Sequence, residues 1–289
     1  MDFLKYRLLY LILSSTLVIG SLLSLFVWRL QPSIDFTGGT LIEYRLSQPT
    51  VLNQVREALS KQTELPVASI QTTGEQGLLV KTTTVSQEKA QVFLKTLTTQ
   101  LQQPVQEVRF ETIGPVLGKE LLFKTLVAVV ITSAFIVGYL AWTFRNVQYG
   151  VAAVLAMFHD TLILLGSFSL LGKFMGIEVD TLFVTAVLTT LSFSVHDTVV
   201  VFDRIREAQH QYPQTSLKDL ANKAITETMS RSLNNSLTII FMLTALLLLG
   251  GEPIKWFVAA LLIGTIVGTY SSPFVAVPLL VWWSGRKKS

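Results

Sequence analysis

The stretch Leu191-Ser-Phe-Ser-Val-His-Asp-Thr-Val-Val-Val-Phe-Asp-Arg-Ile-Arg-Glu207 decides how the rest of the chain is read. Most of it is an apolar run suited to the inside of a membrane helix. It nevertheless carries His196 and Asp197 side by side and ends in the charged burst Asp203, Arg204, Arg206 and Glu207. A charged side chain at the bilayer centre costs about 2.5–3.5 kcal/mol on insertion scales. Asp197 therefore needs a partner, a proton or a water cavity.

Working outward, half of the 289 residues are hydrophobic and 15% are charged, the composition of an integral membrane protein with one water-exposed region. The net charge of +4 does not form the single basic stripe of a nucleic-acid binder. The basic residues cluster instead at the ends of apolar runs, as positive-inside topology requires. With no cysteine, disulfides, thiolate metal sites and thiol catalysis are excluded.

Leu8–Trp28 is an uncharged run of 21 residues behind a short basic segment with Lys5 and Arg7, enough to cross about 30 Å of hydrocarbon. It ends in Trp-Arg-Leu-Gln-Pro and lacks a small-residue cleavage site, so it reads as an uncleaved signal-anchor. Five further spans are expected at Leu121–Phe144, Val147–Leu171, Thr181–Phe202, Ser232–Leu249 and Trp256–Trp283. Lys5, Arg7, Arg145, Arg204, Arg206, Lys218, Lys223, Arg231, Arg286, Lys287 and Lys288 would share one side, against only Lys173 and Lys255 in the short loops opposite. That asymmetry places both termini in the cytoplasm and the soluble region outside.

The soluble region, residues 31–120, is polar and shows short periodic segments. Strands are expected at Ile34–Leu46 (interrupted by Gly38-Gly39), Val67–Thr72, Gly77–Thr82 and Glu107–Ile113. Helices are expected at Thr50–Lys61 and Ser86–Gln102, with Ser86 as cap. The order βαββαβ is that of a ferredoxin-like domain. The fold class is thus mainly α and membrane-embedded, six transmembrane helices with an extracytoplasmic α+β domain between the first two. Its parts are 1–30, 31–120 and a five-helix bundle over 121–289.

Asp197 admits two readings. Paired near the surface with Arg204, seven residues on and on the same helical face, or with Arg206, it would merely anchor the helix. Alternatively it is an intramembrane proton site. His196, about 100° around the helix, is either a buried hydrogen-bonding residue or a second proton carrier. The third span has its own pair, His159-Asp160, which either fixes helix register or takes part in proton movement. Arg231 is read as opening the fifth span, followed by Asn234, Asn235, Ser236 and Thr238, whose polar groups need partners in apolar surroundings. Arg231 is the expected ionic partner that alternates with a proton on Asp197. Gly264 and Gly268, four apart in the sixth span, suggest close helix packing. No helix offers paired metal ligands at i, i+4 spacing, so no metal, cofactor or enzymatic chemistry is expected.

These residues give the sequence an end-to-end resemblance to the SecD/SecF family of bacterial protein-export membrane proteins. The matching segments are Asp35-Phe36-Thr37-Gly38-Gly39-Thr40, Ile113–Leu121, Phe158-His159-Asp160, Asp197–Glu207, Arg231–Thr238 and Gly268–Ser272. The resemblance implies half of a resistance-nodulation-division-type transporter in the bacterial inner membrane, internal membranes not being excluded. It implies SecD as partner, the SecYEG translocon beside it, SecA indirectly, and translocating preproteins driven by protons. The family's essential aspartate falls on Asp197, its key arginine on Arg231, and a further motif aspartate on Asp160. The Asp35–Gly39 segment would act as the hinge through which helix motion swings the outer domain. His196 stands where asparagine is common, Asn235 where threonine is common, and Pro273 follows the Ser-Ser pair. A small-molecule exporter of the same superfamily and a non-transporting scaffold are the alternatives.

Overall fold

The structure is a computed structural model that describes residues 2–48, 55, 67–73, 76–144 and 146–286. It divides into two compact units, Pro32–Leu126 and the pair of segments Met1–Gln31 and Val127–Ser289.

In the first unit, strands β1 (Gly39–Leu46), β2 (Val67–Thr73), β3 (Gly77–Thr82) and β4 (Val105–Ile113) form an antiparallel sheet in the order β2-β3-β1-β4. This is the order that a βαββαβ chain with a split βαβ pattern predicts. Alternation sends Ile42, Tyr44 and Leu46 of β1 and Leu78 and Val80 of β3 to one buried face. There they meet Ala90, Phe93 and Leu97 of the helix Gln87–Leu101 (α2; α1 is the first membrane helix below), which recur at helical spacing. Tyr44 and Phe93 are 5.9 Å apart between ring centroids. Ser86 occupies the cap position of α2 but makes no side-chain capping bond. The expected helix over 50–61 lies outside the described residues except for Val55, which is buried in this core.

One expectation is corrected. Ile34–Leu46 is not a single strand: Ile34–Thr37 is a helical turn and β1 starts only at Gly39. Ser33 caps that turn by accepting from the Asp35 amide at 3.2 Å. The turn is released at Gly38 (φ 71°) and Gly39 (φ 134°), conformations an L side chain resists.

The second unit contains α1 (Arg7–Val27), α4 (Val147–Met175), α5 (Thr181–Gln211), α6 (Leu217–Leu249), α7 (Glu252–Ser271) and α8 (Val277–Arg286), together with most of α3 (Pro115–Thr143). Among the described residues six helices are long and apolar enough to cross a membrane, the last of them made of α7 and α8. Helices α4, α5 and α7 are the most buried and form the centre, while α3 is exposed nearly all round. Small residues set the close approaches. A Cβ on Gly166 of α4 would fall 2.5 Å from the Ser21 Cα of α1, and one on Gly264 of α7 would fall 2.2 Å from Thr190 Oγ1 of α5.

The helices also outrun the expected spans. Helix α5 continues to Gln211, so the charged burst is helical. Helix α6 starts at Leu217, where Ser216 accepts from the Asp219 amide at 3.2 Å. Arg231 therefore lies well inside this helix rather than at its start; the polar first turns had hidden the helical continuation. The sixth span is not uniform: residues Ser272–Ala276 form a π-helical turn around Pro273, which has no amide to continue the α-helical ladder.

Candidate functional site: a buried carboxylate and hydroxyl network

Asp197 is 5% exposed, on the inward face of α5. Its Oδ2 accepts a hydrogen bond from Ser232 Oγ of α6 at 2.7 Å. Among the described residues no cation lies within ion-pair distance of it. Arg204 is engaged with Glu207 at 2.5 Å and with Glu227, and Arg206 lies 3.7 Å from Asp203 and donates to the Thr143 carbonyl. The surface-anchor reading of Asp197 therefore has no structural counterpart.

The direct Asp197–Arg231 pair is likewise not formed. Arg231 is exposed, and its neighbour Ser232 takes the place facing Asp197. Adjacent helical residues point about 100° apart, so the rotation that presents Ser232 turns Arg231 away. Asn234, Asn235 and Thr238 are exposed with Arg231. Positions 231, 234, 235 and 238 form one stripe along α6. Ser236, by contrast, is buried and accepts from Thr269 Oγ1 at 2.7 Å.

Asp160 on α4 is the better-satisfied carboxylate, at 1% exposure. Its Oδ2 accepts from Ser194 Oγ of α5 at 2.5 Å and from Ser271 Oγ of α7 at 2.6 Å. Its Oδ1 lies 2.8 Å from His159 Nδ1, and His159 Nε2 is buried without a hydrogen-bond partner. Thr198, next to Asp197, pairs with Ser272 Oγ at 3.0 Å. Ser271 and Ser272 are consecutive, as are Thr198 and Asp197, so three adjacent hydrogen-bonded groups make up this network, Asp160 with Ser194 and Ser271, Thr198 with Ser272, and Asp197 with Ser232, neighbours along the backbone rather than hydrogen-bonded to one another. It draws on α4, α5, α6 and the α7–π junction. Among the described residues no three His, Cys, Asp or Glu side chains converge as metal ligands.

His196 is turned outward with Ser192, onto a shallow groove beside Phe135 and Tyr139 of α3, and takes no part in this network. Gly264 and Gly268 lie against Thr190 and Ser194, so the glycine pair fits α7 onto the hydroxyl-bearing face of α5. That face, Thr190, Ser194 and Thr198 at intervals of four, escaped the sequence reading along with Ser232. The signal was present as a repeat of small hydroxyl residues in register with Asp197.

In the other unit, Asp35–Gly39 is tightly packed. A Cβ on Gly38 would lie 2.6 Å from Pro115 Cα, and one on Gly118 would lie 2.7 Å from the Gly38 amide nitrogen. The two sequence motifs around Gly38-Gly39 and Pro115–Gly118 thus meet, glycine against backbone. Lys81 of β3, 8% exposed, is buried nearby, and burial pushes its amine down to about 8 against the opposing charge of Asp35.

Comparison with known proteins identifies the family. Residues 93–286 match the family model described as protein export membrane protein SecD/SecF, C-terminal, and residues 24–50 match the SecD/SecF GG motif. The protein translocase subunit SecF of Thermobaculum terrenum is 39% identical, over 99% of this chain and 94% of its own length. The SecF of Synechocystis sp. is 33% identical, over 98% and 94%. The crystal structure of SecDF from Thermus thermophilus, a translocon-associated membrane protein, superposes with a TM-score of 0.87 at 30% identity, over 99% of this chain and 39% of that one. With its family-model match, its near full-length likeness to SecF subunits and the shared fold, the chain is a multi-pass membrane protein that belongs to the SecD/SecF family.

Proposed function

We propose that the chain is a SecF-type subunit that uses the proton-motive force, through Asp197, to drive late stages of preprotein export. The observation that carries this is a carboxyl group buried at the junction of helices, held by one hydroxyl and, among the described residues, by no cation. Such a group is costly when ionised unless a counter-charge reaches it. Arg231, one residue before Ser232, is the available cation, and a turn of α6 by about 100° exchanges the two. Protonated Asp197 keeps the Ser232 arrangement; loss of the proton draws in Arg231. One charge crossing 100 mV is worth about 2.3 kcal/mol, a bias of about fiftyfold between the two arrangements. Asp160, whose Oδ2 already receives two hydroxyl donors besides the contact of Oδ1 with His159, acts as the fixed member of the network.

The orientation follows the basic residues: termini in the cytoplasm, the domain of residues 31–120 outside the bacterial inner membrane. The close packing of Gly38 on Pro115 ties β1 to the first turn of α3, so that movement of this helix is passed to the sheet. SecD is the partner half, as suggested by the SecDF chain of Thermus thermophilus, of which this chain spans 35%. The exposed stripe of Arg231, Asn234, Asn235 and Thr238 supports this, because polar groups at membrane depth require protein or water against them. The SecYEG channel, with SecA reached only through it, is the expected neighbour.

Asp197→Asn in inverted membrane vesicles should preserve assembly with SecD and remove the gradient-dependent part of preprotein export. Export that keeps its full response to the gradient in this variant would overturn the proposal.

A further inference from the structure

Around the end of α3 at which α5 also finishes, three recesses are neighbours. The largest, about 980 Å³, is lined by Trp142, Asn146, Tyr149, Arg206, Gln209 and His210 among others. A second, about 580 Å³, continues from Tyr139 and Trp142 along α3 past Gly138 to Ile131. A third, about 360 Å³, descends from Tyr139 between α3 and α5 beside Phe135. Tyr139 is common to all three, so a polar chamber and two furrows that flank the apolar surface of α3 share one side chain as a wall.

The chemistry changes from chamber to furrow as a phospholipid does. The polar chamber has Arg206 and His210 one helical turn apart, the amide of Gln209 and the Asn146 cap of α4, and no carboxylate among its lining residues. Asp203 lies 3.7 Å from Arg206, a long contact that leaves the half-exposed guanidinium with donors to spare. The positive end of the α4 dipole adds to the field there. Trp142 and Tyr139, both exposed, stand where aromatic rings mark the membrane–water interface. Below them the second furrow is nearly devoid of polar groups, and a Cβ added at Gly138 would meet nothing within 4 Å. The stripe on α6 asks for a polar protein partner; the recesses on α3 ask for an anionic head above and hydrocarbon below.

We propose that this groove is a binding site for one anionic phospholipid, with the phosphate at Arg206 and His210 and the acyl chains in the furrows on either side of α3. A basic pocket between membrane helices at the headgroup level is the expected form of such a site.

The test uses the full chain with Trp28, Trp256, Trp282 and Trp283 replaced by Phe, so that Trp142 is the sole tryptophan reporter. It is placed in phosphatidylcholine nanodiscs containing dibrominated phosphatidylglycerol or, at the same mole fraction, dibrominated phosphatidylcholine. Quenching of Trp142 should favour phosphatidylglycerol by about fivefold in apparent affinity, the gain from one basic side chain near a headgroup. Arg206→Gln with His210→Gln should abolish the preference, and Gly138→Leu, which fills a furrow without a clash, should lower quenching by the anionic lipid with the melting temperature unchanged. Equal quenching by the two lipids, or a preference that survives Arg206→Gln with His210→Gln, would overturn the proposal. Loss of the preference on adding soluble glycerol phosphate would assign the chamber to a free phosphate ester. Loss of quenching on co-assembly with SecD would assign the face to protein.

Discussion

What α6 offers Asp197 is a serine. A neutral hydroxyl can donate to the carbonyl oxygen of the acid or accept its proton, so Ser232 suits protonated Asp197 where a cation suits the ionised form. Ser232→Ala removes it, and an unsatisfied buried polar group costs about 1–3 kcal/mol. The expected result is a lower melting temperature in detergent and weakened gradient-driven export, both restored by Ser232→Thr; export unchanged in the alanine variant would show that the hydroxyl is incidental. Lys81 gives a pH signature to the other unit. Its amine is depressed to about 8 in the fold, against roughly 10.4 when unfolded, so the folded state binds fewer protons between these values. Stability contributed at this site therefore rises as pH increases from about 8 to 10. Lys81→Met should be the more stable form at pH 7 and lose that rise, as read by urea unfolding followed through hydrogen exchange in β3. Asp197 was legible in the sequence because a carboxyl in an apolar run is expensive. Ser232 was not, since serine is ordinary in membrane helices and only the pairing across α5 and α6 singles it out.

At the scale of elements, the sequence revealed apolar runs but not where their helices stop. Helices α5 and α6 extend well past the hydrocarbon-like residues, because capping at Ser216 and charged pairs such as Arg204 with Glu207 and Glu227 sustain them in polar surroundings. The same limit hid the turn at Ile34–Thr37, where Ser33 and two positive-φ glycines override a strand-like pattern. The glycine spacing in α7, by contrast, pointed to a real packing seam. Gly264→Ala should force α5 and α7 apart at Thr190, costing about 1–3 kcal/mol in thermal unfolding. Adding Thr190→Ala, which removes the two nearest atoms, should recover most of that loss. Gly138→Ala, facing open space on α3, should change stability by less than about 0.5 kcal/mol. An equal loss at both glycines would mean that the seam does not set the cost, since alanine is the better helix former and propensity alone favours the substitution.

For the molecule as a whole, the distribution of exposed groups decides where the partner half sits. An isolated membrane bundle exposes apolar surface everywhere, so apolar exposure cannot single out an interface. Polar exposure can. The stripe of Arg231, Asn234, Asn235 and Thr238 on α6 has, on the lipid side, nothing to replace water, whereas Phe123, Phe135 and Ile131 on α3 are at ease among acyl chains. The chain contains no cysteine, which makes single-cysteine variants clean reporters. With SecD co-expressed and a library of cysteines along its membrane helices, Asn234→Cys should crosslink to SecD through a short bis-maleimide. Ile131→Cys should remain free to react with a lipid-soluble maleimide. The hydrogen bond from Asp197 reaches Ser232, on the turn of α6 that carries Arg231, so a partner seated on the stripe would bring its own polar residues close to Asp197. Efficient crosslinking from Ile131 with none from Asn234 would move the interface to α3 and leave Arg231 facing lipid, an arrangement the cost of a lipid-facing cation at that depth argues against.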